Sequence, residues 1–155
     1  MGTVMSVEDQ VRKYLDEDDW NYKYDADSHI IRMGAATSSK LKSIHCGIKF
    51  NEGGYTVYGI APLNADEDTR SSVMEYITRV NFNLRNGNFE LDLSDGEVRY
   101  KCYVPTKDLD EIPQIIIEES LIVPILMYNT YGDGLAALIM GFSDPVTEIE
   151  KVESK

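Results

Sequence analysis

The chain has 155 residues, of which 43% are hydrophobic and 27% are charged, and this balance predicts a single globular domain over residues 1–155. Fifteen Lys and Arg residues against 27 Asp and Glu residues give a formal net charge of −12. Because this charge repels phosphate backbones and anionic lipid surfaces, we expect neither nucleic acid nor a membrane as a partner. The first residues lack the basic and apolar progression of a signal peptide, which favours a cytoplasmic protein.

The first predicted element is an N-terminal helix within residues 1–19. Ser6 and Asp9 are spaced like the residues of a capping box, so we expect the helix to run from Ser6 to about Glu17. The apolar residues that fall on one side of this helix are Val7, Val11, Tyr14 and Leu15.

Two β-hairpins are predicted to follow. In the first, an aromatic strand over residues 20–24 turns at residues 25–28 and returns from His29 to Met33. In the second, alternating residues separate a core face from a wet face, and the chain turns at residues 51–54 and returns from Tyr55 to Ile60. The core face of its first strand contains Ile44, Cys46, Ile48 and Phe50, and the wet face contains His45 and Lys49.

A second amphipathic helix begins near Arg70. Its apolar residues recur at three- and four-residue steps: Val73, Tyr76, Ile77, Val80 and Leu84. Asn64 and Thr69 are both candidates for the N-cap, and the Asn86-Gly87 pair is predicted to end the helix.

A third hairpin is predicted to turn at Asp95-Gly96. Alternation places one set of residues on the core face: Phe89, Leu91, Leu93, Val98, Tyr100, Cys102 and Val104. The intervening residues face solvent, and they include Glu90, Asp92, Arg99, Lys101 and Tyr103. Because Cys46 and Cys102 both fall on core faces, we expect two buried thiols and no disulfide.

The last long segment, from Glu111 to about Gly141, is apolar around almost its whole circumference. A helix of this kind is buried on more than one side. Pro124 is predicted to kink or divide it, and the Tyr-Gly-Asp-Gly run at residues 131–134 to break it again. Its uninterrupted apolar run is far shorter than the ~20 residues of a membrane span. Residues 143–155 are predicted to form a polar tail with a short helix from Pro145.

The predicted order is therefore α-ββββ-α-ββ-α. Strands that are apolar on one side only, together with helices that are segregated from antiparallel hairpins, indicate an α+β fold. In such a fold the helices pack on one face of an antiparallel sheet, and the other face remains wet.

Three stretches of the chain resemble the YbjN-type bacterial family: HIIRM at residues 29–33, YTVYGIAPLNADED at residues 55–68 and VMEYITRVNFNLRNGNFELDLSDGEVRYK at residues 73–101. In the third, Asn81-Phe82 precedes a Gly-Asn-Phe-Glu strand and the Asp-Gly turn. The order and spacing of these motifs, over about residues 20–141, carry the resemblance. It implies a fold similar to that of the type III secretion chaperones, often dimeric, with a regulatory or protein-binding role and no established catalytic site.

Residues capable of chemistry form no catalytic or metal-binding pattern. His45 and Cys46 are neighbours on a strand, so their side chains point to opposite faces and cannot bind one metal ion. The acidic cluster at residues 66–68 lacks the spacing of a calcium loop. We therefore expect a non-enzymatic protein without catalytic residues, cofactor or metal.

Two surfaces are candidates for partner binding. The wet sheet face carries both signs of charge and an aromatic residue, contributed by Glu90, Asp92, Arg99, Lys101 and Tyr103. An ordinary solvated face is the simpler interpretation, with cross-strand ion pairs between its charges. The apolar last helix suggests a homodimer, with Ile122 and Met127 among the contacts.

A different class of function remains open from the residues alone. An aromatic groove at the first hairpins would suit a small-ligand binder or an unrecognised enzyme, and its lining would be Trp20, Tyr22, Tyr24 and Tyr55.

Overall fold

Helices and strands follow one another in the predicted order along residues 4–154, the part of the chain that the computed structural model describes. The helices are α1 (Val7–Glu17), α2 (Arg70–Phe82), α3 (Gln114–Ile139) and α4 (Pro145–Glu153). The strands are β1 (Lys23–Asp25), β2 (Ile30–Ala36), β3 (Ser43–Asn51), β4 (Gly54–Ile60), β5 (Asn88–Leu91) and β6 (Val98–Pro105). The predicted α+β class is confirmed.

The strands form one antiparallel sheet in the order β1-β2-β3-β4-β6-β5. β6 pairs with both β4 and β5, so the third hairpin joins the first two through its return strand. Alternation separates the two faces as predicted, because successive side chains on a strand point in opposite directions. The buried residues of the core face include Ile31, Ile44, Ile48, Val57, Val98 and Tyr100.

Helix α3 packs across the core face of the sheet. Tyr128 is fully buried, and its hydroxyl donates a hydrogen bond to the Gly59 carbonyl oxygen at 2.9 Å. A Cβ atom at Gly59 would lie 3.0 Å from Pro124 Cβ and 3.2 Å from Tyr128 Cε2. The missing side chain at Gly59 therefore lets α3 approach β4 closely.

The other helices extend this layer. α1 is capped as predicted, because Ser6 Oγ accepts a hydrogen bond from Asp9 N at 3.1 Å, and it buries Val11 and Leu15. α2 is tied to the edge strand β5 by the side-chain amide of Asn81, which donates to the Phe89 carbonyl at 2.9 Å and accepts from Phe89 N at 2.8 Å. α4 packs against α2 and α3. The predicted polar tail thus includes a packed helix.

The predicted break at residues 131–134 is wrong, because α3 continues to Ile139. Gly132 and Gly134 let neighbouring side chains pack closely against α3, and they do not form a turn. A Cβ atom at Gly132 would lie 2.6 Å from Ser39 Oγ, and one at Gly134 would lie 2.4 Å from Tyr76 Oη. Pro124 also lies inside the helix and does not divide it. Close approach of neighbouring segments explains why these breaker residues occur within a buried helix.

Element ends also differ from the sequence predictions. α2 ends at Phe82, four residues before Asn86-Gly87, so Leu84 lies outside the helix. Thr69 occupies the N-cap position, but its side chain makes no capping hydrogen bond. β5 ends at Leu91, and Leu93 is 58% exposed. The aromatic strand predicted over residues 20–24 is reduced to the short β1.

Both cysteines are buried, free thiols on the core face. Cys46 lies on β3 and Cys102 on β6, with β4 between them. Burial raises the pKa of Cys46 to about 12 and the pKa of Cys102 to about 11. At neutral pH both therefore remain protonated and poorly nucleophilic.

The packing role of Gly134 leads to a stability prediction. Replacing glycine by alanine within a helix usually stabilises it by about 1 kcal/mol. For Gly134→Ala we expect the opposite sign, a net loss of roughly 1 kcal/mol or more, because the new Cβ would overlap Tyr76 Oη. Thermal unfolding followed by circular dichroism should show a melting temperature lower by ~2–4 °C.

Thr130→Ala on the exposed side of α3 is the matched control, and it should not lower the melting temperature. A Gly134→Ala variant that melts at or above the parent temperature would contradict the packing role.

Candidate functional site

The side of the sheet opposite the helices is the main candidate surface, and we call it the open face. Cross-strand register defines it, because paired residues point to the same side. One row runs from Lys23 through Arg32, Gly47 and Tyr58 to Lys101. A second row contains Gly34, His45, Ile60, Arg99 and Glu90. Lys49 and Tyr103 belong to a third row, which also includes Asp25, Ile30 and Thr56.

Glu90 holds a charge cluster at the β5–β6 end of the open face. Its Oε1 lies 3.0 Å from Arg99 Nε and its Oε2 lies 2.9 Å from Lys101 Nζ. Partial burial raises the pKa of Glu90, but the hydrogen bonds and positive charges of Lys101 and Arg99 outweigh burial and hold that pKa below its ordinary value. The predicted cross-strand ion pairs of Glu90 are confirmed.

Aromatic rings adjoin this cluster. The Arg99 guanidinium carbon lies 5.5 Å from the centre of the Tyr58 ring, within the range of a cation–π contact. Tyr103 is 49% exposed and lies two residues beyond Lys101 on the same face of β6. The open face therefore offers charged, hydrogen-bonding and aromatic groups side by side.

Asp92 lies at the margin of the open face beside Glu90 and Arg99, but among residues 4–154 it forms no ion pair, which corrects the predicted cross-strand pairing of Asp92. β5 ends at Leu91, so Asp92 lies in the turn toward β6. Its Oδ1 accepts hydrogen bonds from Ser94 Oγ at 2.6 Å and Ser94 N at 2.8 Å, and these bonds lower the pKa of Asp92. The carboxylate stabilises the turn, as aspartate often does.

Ile122 and Met127 lie on α3, on the other side of the sheet. Ile122 is 39% exposed, whereas Met127 is less exposed and packs partly buried against the core. The exposed residues Ile115, Ile122 and Leu126 recur at steps of seven and four residues and form a stripe on the outer side of α3, and Ile116 is exposed beside it. The two groups of predicted site residues thus belong to separate surfaces.

The aromatic groove considered from the sequence does not form. Tyr55 is fully buried on the core face, where its hydroxyl lies 2.9 Å from Ser120 Oγ. Tyr24 and Tyr22 bind acidic residues of α1 through their hydroxyl groups, and Trp20 Nε1 donates to Asp18 Oδ2 at 2.8 Å. These aromatic residues fix the first hairpin to α1 and do not line one pocket with Tyr55.

A different concavity lies on the open face, and the sequence analysis missed it. A groove of about 680 Å³ runs over β2 and β3, with Gly34 and Gly47 at its floor. Arg32, Lys49 and Tyr58 are among its lining residues. The available signal was the position of both glycines among wet-face residues of predicted strands, where a missing side chain leaves space in front of the sheet.

His45 and Cys46 point to opposite faces, as predicted: His45 is exposed and Cys46 is buried. Among residues 4–154, no group of three or more His, Cys, Asp or Glu side chains is placed to hold a metal ion.

Within residues 4–154, α3 is long and apolar enough to cross a membrane by length and composition, a test that buried core helices also pass.

Comparisons with known proteins identify the fold. No protein-family model matches the chain, and no curated protein matches it in sequence. The chain is similar to the crystal structure of YbjN from E. coli, a protein proposed to regulate transcription. The match has a TM-score of 0.56 and 11% sequence identity, and it covers 84% of this chain and 96% of that one. The chain therefore has a YbjN-type fold, as its resemblance to that family implied.

The Glu90 cluster gives a prediction about pH. A carboxyl group whose pKa is lower in the folded state than in the unfolded state stabilises the protein at pH values above the unfolded pKa, which is near 4.5 for Glu90. This stabilisation is lost as the pH falls through the pKa of the folded state. Glu90→Gln should therefore lower the free energy of unfolding at pH 7 by about 0–1 kcal/mol, since the cluster is partly exposed. The difference from the parent should disappear below the folded pKa.

Urea unfolding at several pH values between neutrality and acid measures this effect. Glu75→Gln is the matched control, because Glu75 forms an exposed pair with Arg79 within α2. A Glu90→Gln effect that does not change with pH would show that the charge of Glu90 is not what stabilises the cluster.

Proposed function

We propose that this protein is a non-enzymatic, cytoplasmic protein-binding module with a regulatory or chaperone-like role. The observation that supports it is the open face, where the Glu90, Arg99 and Lys101 cluster lies beside Tyr103 with no helix packed over it. Aromatic and arginine side chains are enriched at protein interfaces. A partner segment would contact Arg99 and Lys101 and would pack against the Tyr103 ring.

The fold supports a regulatory role by analogy. YbjN, which shares this fold, is itself proposed to regulate transcription. The net charge of −12 disfavours direct contact with nucleic acid, so regulation through a protein partner is the form of activity that suits this chain.

Homodimerisation through α3 is the second part of the proposal. Ile122 and Leu126 are 39% and 48% exposed on the outer side of that helix, and Ile115 continues the stripe. Apolar residues grouped in this way favour burial against another molecule. A two-fold axis beside α3 would bury the stripe of each copy against the same stripe of its partner.

The open-face proposal is tested by removing its cations. Arg99→Gln/Lys101→Gln should reduce capture of the parent protein's specific cellular partners, because it removes the charged contacts without creating repulsion. Quantitative mass spectrometry of proteins retained by the immobilised parent and variant measures this loss. The variant should unfold within ~1 kcal/mol of the parent, since the pairs are partly exposed.

Lys13→Gln/Arg79→Gln is the matched control, because it removes the same charge from α1 and α2 and should leave partner capture unchanged. Equal capture by the parent and the open-face variant would show that the cations at this end of the face are not a docking surface.

The dimer is tested by light scattering coupled to size exclusion at tens of micromolar. The parent should have twice the 17.5 kDa mass of one chain, and Ile122→Glu/Leu126→Glu should have the mass of one chain. Met74→Glu, at another exposed apolar residue, should remain dimeric. A parent of single-chain mass would contradict the proposal.

A further inference from the structure

The groove over β2 and β3 has a floor of two glycines, and we call it the trough. It is lined on the open face by Lys23, Arg32, Lys49 and Tyr58, with Gly34 and Gly47 beneath. Its volume of about 680 Å³ lies within the range of binding clefts. None of the helices α1 to α4 fills it, since they pack on the opposite side of the sheet.

Neither glycine is required by the fold. A Cβ atom at Gly34 would meet nothing within 4 Å, and one at Gly47 would meet Tyr58 Cδ2 at an ordinary contact distance of 3.4 Å. Neither residue has a positive φ. Glycine weakens a strand by roughly 0.5–1 kcal/mol relative to alanine, so two adjacent glycines without a packing role indicate a place where another chain or ligand approaches the sheet.

The charges around the trough are unbalanced. Within residues 4–154, no carboxylate forms an ion pair with Lys23, Arg32 or Lys49. The basic residues of the whole open face are Lys23, Arg32, Lys49, Arg99 and Lys101, against the carboxylates of Asp25 and Glu90. A protein with a net charge of −12 thus concentrates positive charge on this one face.

We propose that the trough binds an extended, carboxylate-rich segment of a partner protein, an inference that rests on the protein-binding function proposed above. The row from Lys23 to Lys101 crosses five neighbouring strands and spans ~19 Å, the length of about six extended residues. The segment's backbone follows this row over Gly47, Gly34 in the neighbouring row leaves space beside it, and its carboxylates reach the nearby cations.

The spacing of the cations around the trough disfavours a small phosphorylated ligand. The cations are distributed over several strands and do not converge on one point, and β3, beneath the trough, is paired with a strand on each side, so its backbone amides are engaged in the sheet ladder. A nucleic acid strand would also be repelled by the net charge of −12 of the protein as a whole. A short peptide segment remains near the trough, where screening limits the influence of distant charges to about 8 Å at physiological salt.

The test uses a defined probe, a hexapeptide of alternating glutamate and valine with acetylated and amidated ends. Titration calorimetry and amide chemical shifts should show binding to the parent, with shifts in β2, β3 and β4. Arg32→Gln/Lys49→Gln should weaken binding by about tenfold or more through the loss of charged hydrogen bonds. The same peptide with lysine in place of glutamate should not bind.

Gly34→Val fills the trough with a side chain that meets open space. It should weaken peptide binding to a similar extent while leaving the melting temperature unchanged or higher, because valine favours strands. Lys13→Gln/Arg79→Gln should bind the peptide as the parent does.

Absence of binding by the parent at millimolar peptide would overturn the proposal, as would equal affinity of the parent and both trough variants. Tighter binding of a six-nucleotide single strand than of the acidic peptide would also overturn it. Because these measurements use purified protein, a defined peptide and variants of Arg32, Lys49 and Gly34, their failure is separable from failure of the partner-capture experiment. That experiment uses cellular proteins and removes Lys101 and Arg99, which also lines the trough.

Discussion

The close contact between α3 and β4 at Gly59 is the constraint on which the rest of the structure depends. Because Gly59 has no side chain, Pro124 and Tyr128 reach the strand, and the buried Tyr128 hydroxyl satisfies its hydrogen bond on the Gly59 carbonyl. The Phe89 ring then meets the Tyr128 ring edge to face, with centroids 5.4 Å apart. One glycine, one tyrosine and one phenylalanine thus join the central strand, the long helix and the edge strand.

This contact determines which face of the sheet is covered. With α3 on the core face, α1 buries Val11 and Leu15 in the same layer, and α2 attaches to β5 through Asn81. The apolar side chains of the core are therefore buried on that side of the sheet. The opposite face is left to charged and aromatic residues, whose ion pairs contribute little to stability because water reaches them.

The charge distribution distinguishes the open face from the rest of the protein. The protein as a whole is acidic, yet the cations of four strands point to the same side. At one end Glu90 neutralises part of this charge, and at the other end the trough leaves it unpaired. The protein partner proposed for this face would therefore be locally acidic. Complementary charge would also favour rapid association, because it steers encounter.

Local pattern in the sequence determined the elements and their faces. Alternation at Ile44, Cys46 and Ile48 was sufficient to assign the core side of β3, and the Ser6 cap was sufficient to begin α1, because both depend on neighbouring residues only. The α+β class and the cross-strand pairing of Glu90 with Arg99 followed from the same local periodicity. These features agree with the structure.

Long-range packing decided the rest. The insertion of β6 between β4 and β5 depends on contacts between distant segments, and so does the continuity of α3 through Gly132 and Gly134. A glycine has the same local signature whether it ends a helix, admits a neighbouring side chain or opens a trough. Only the tertiary structure distinguishes these cases, because only there do the atoms that a Cβ would meet come together.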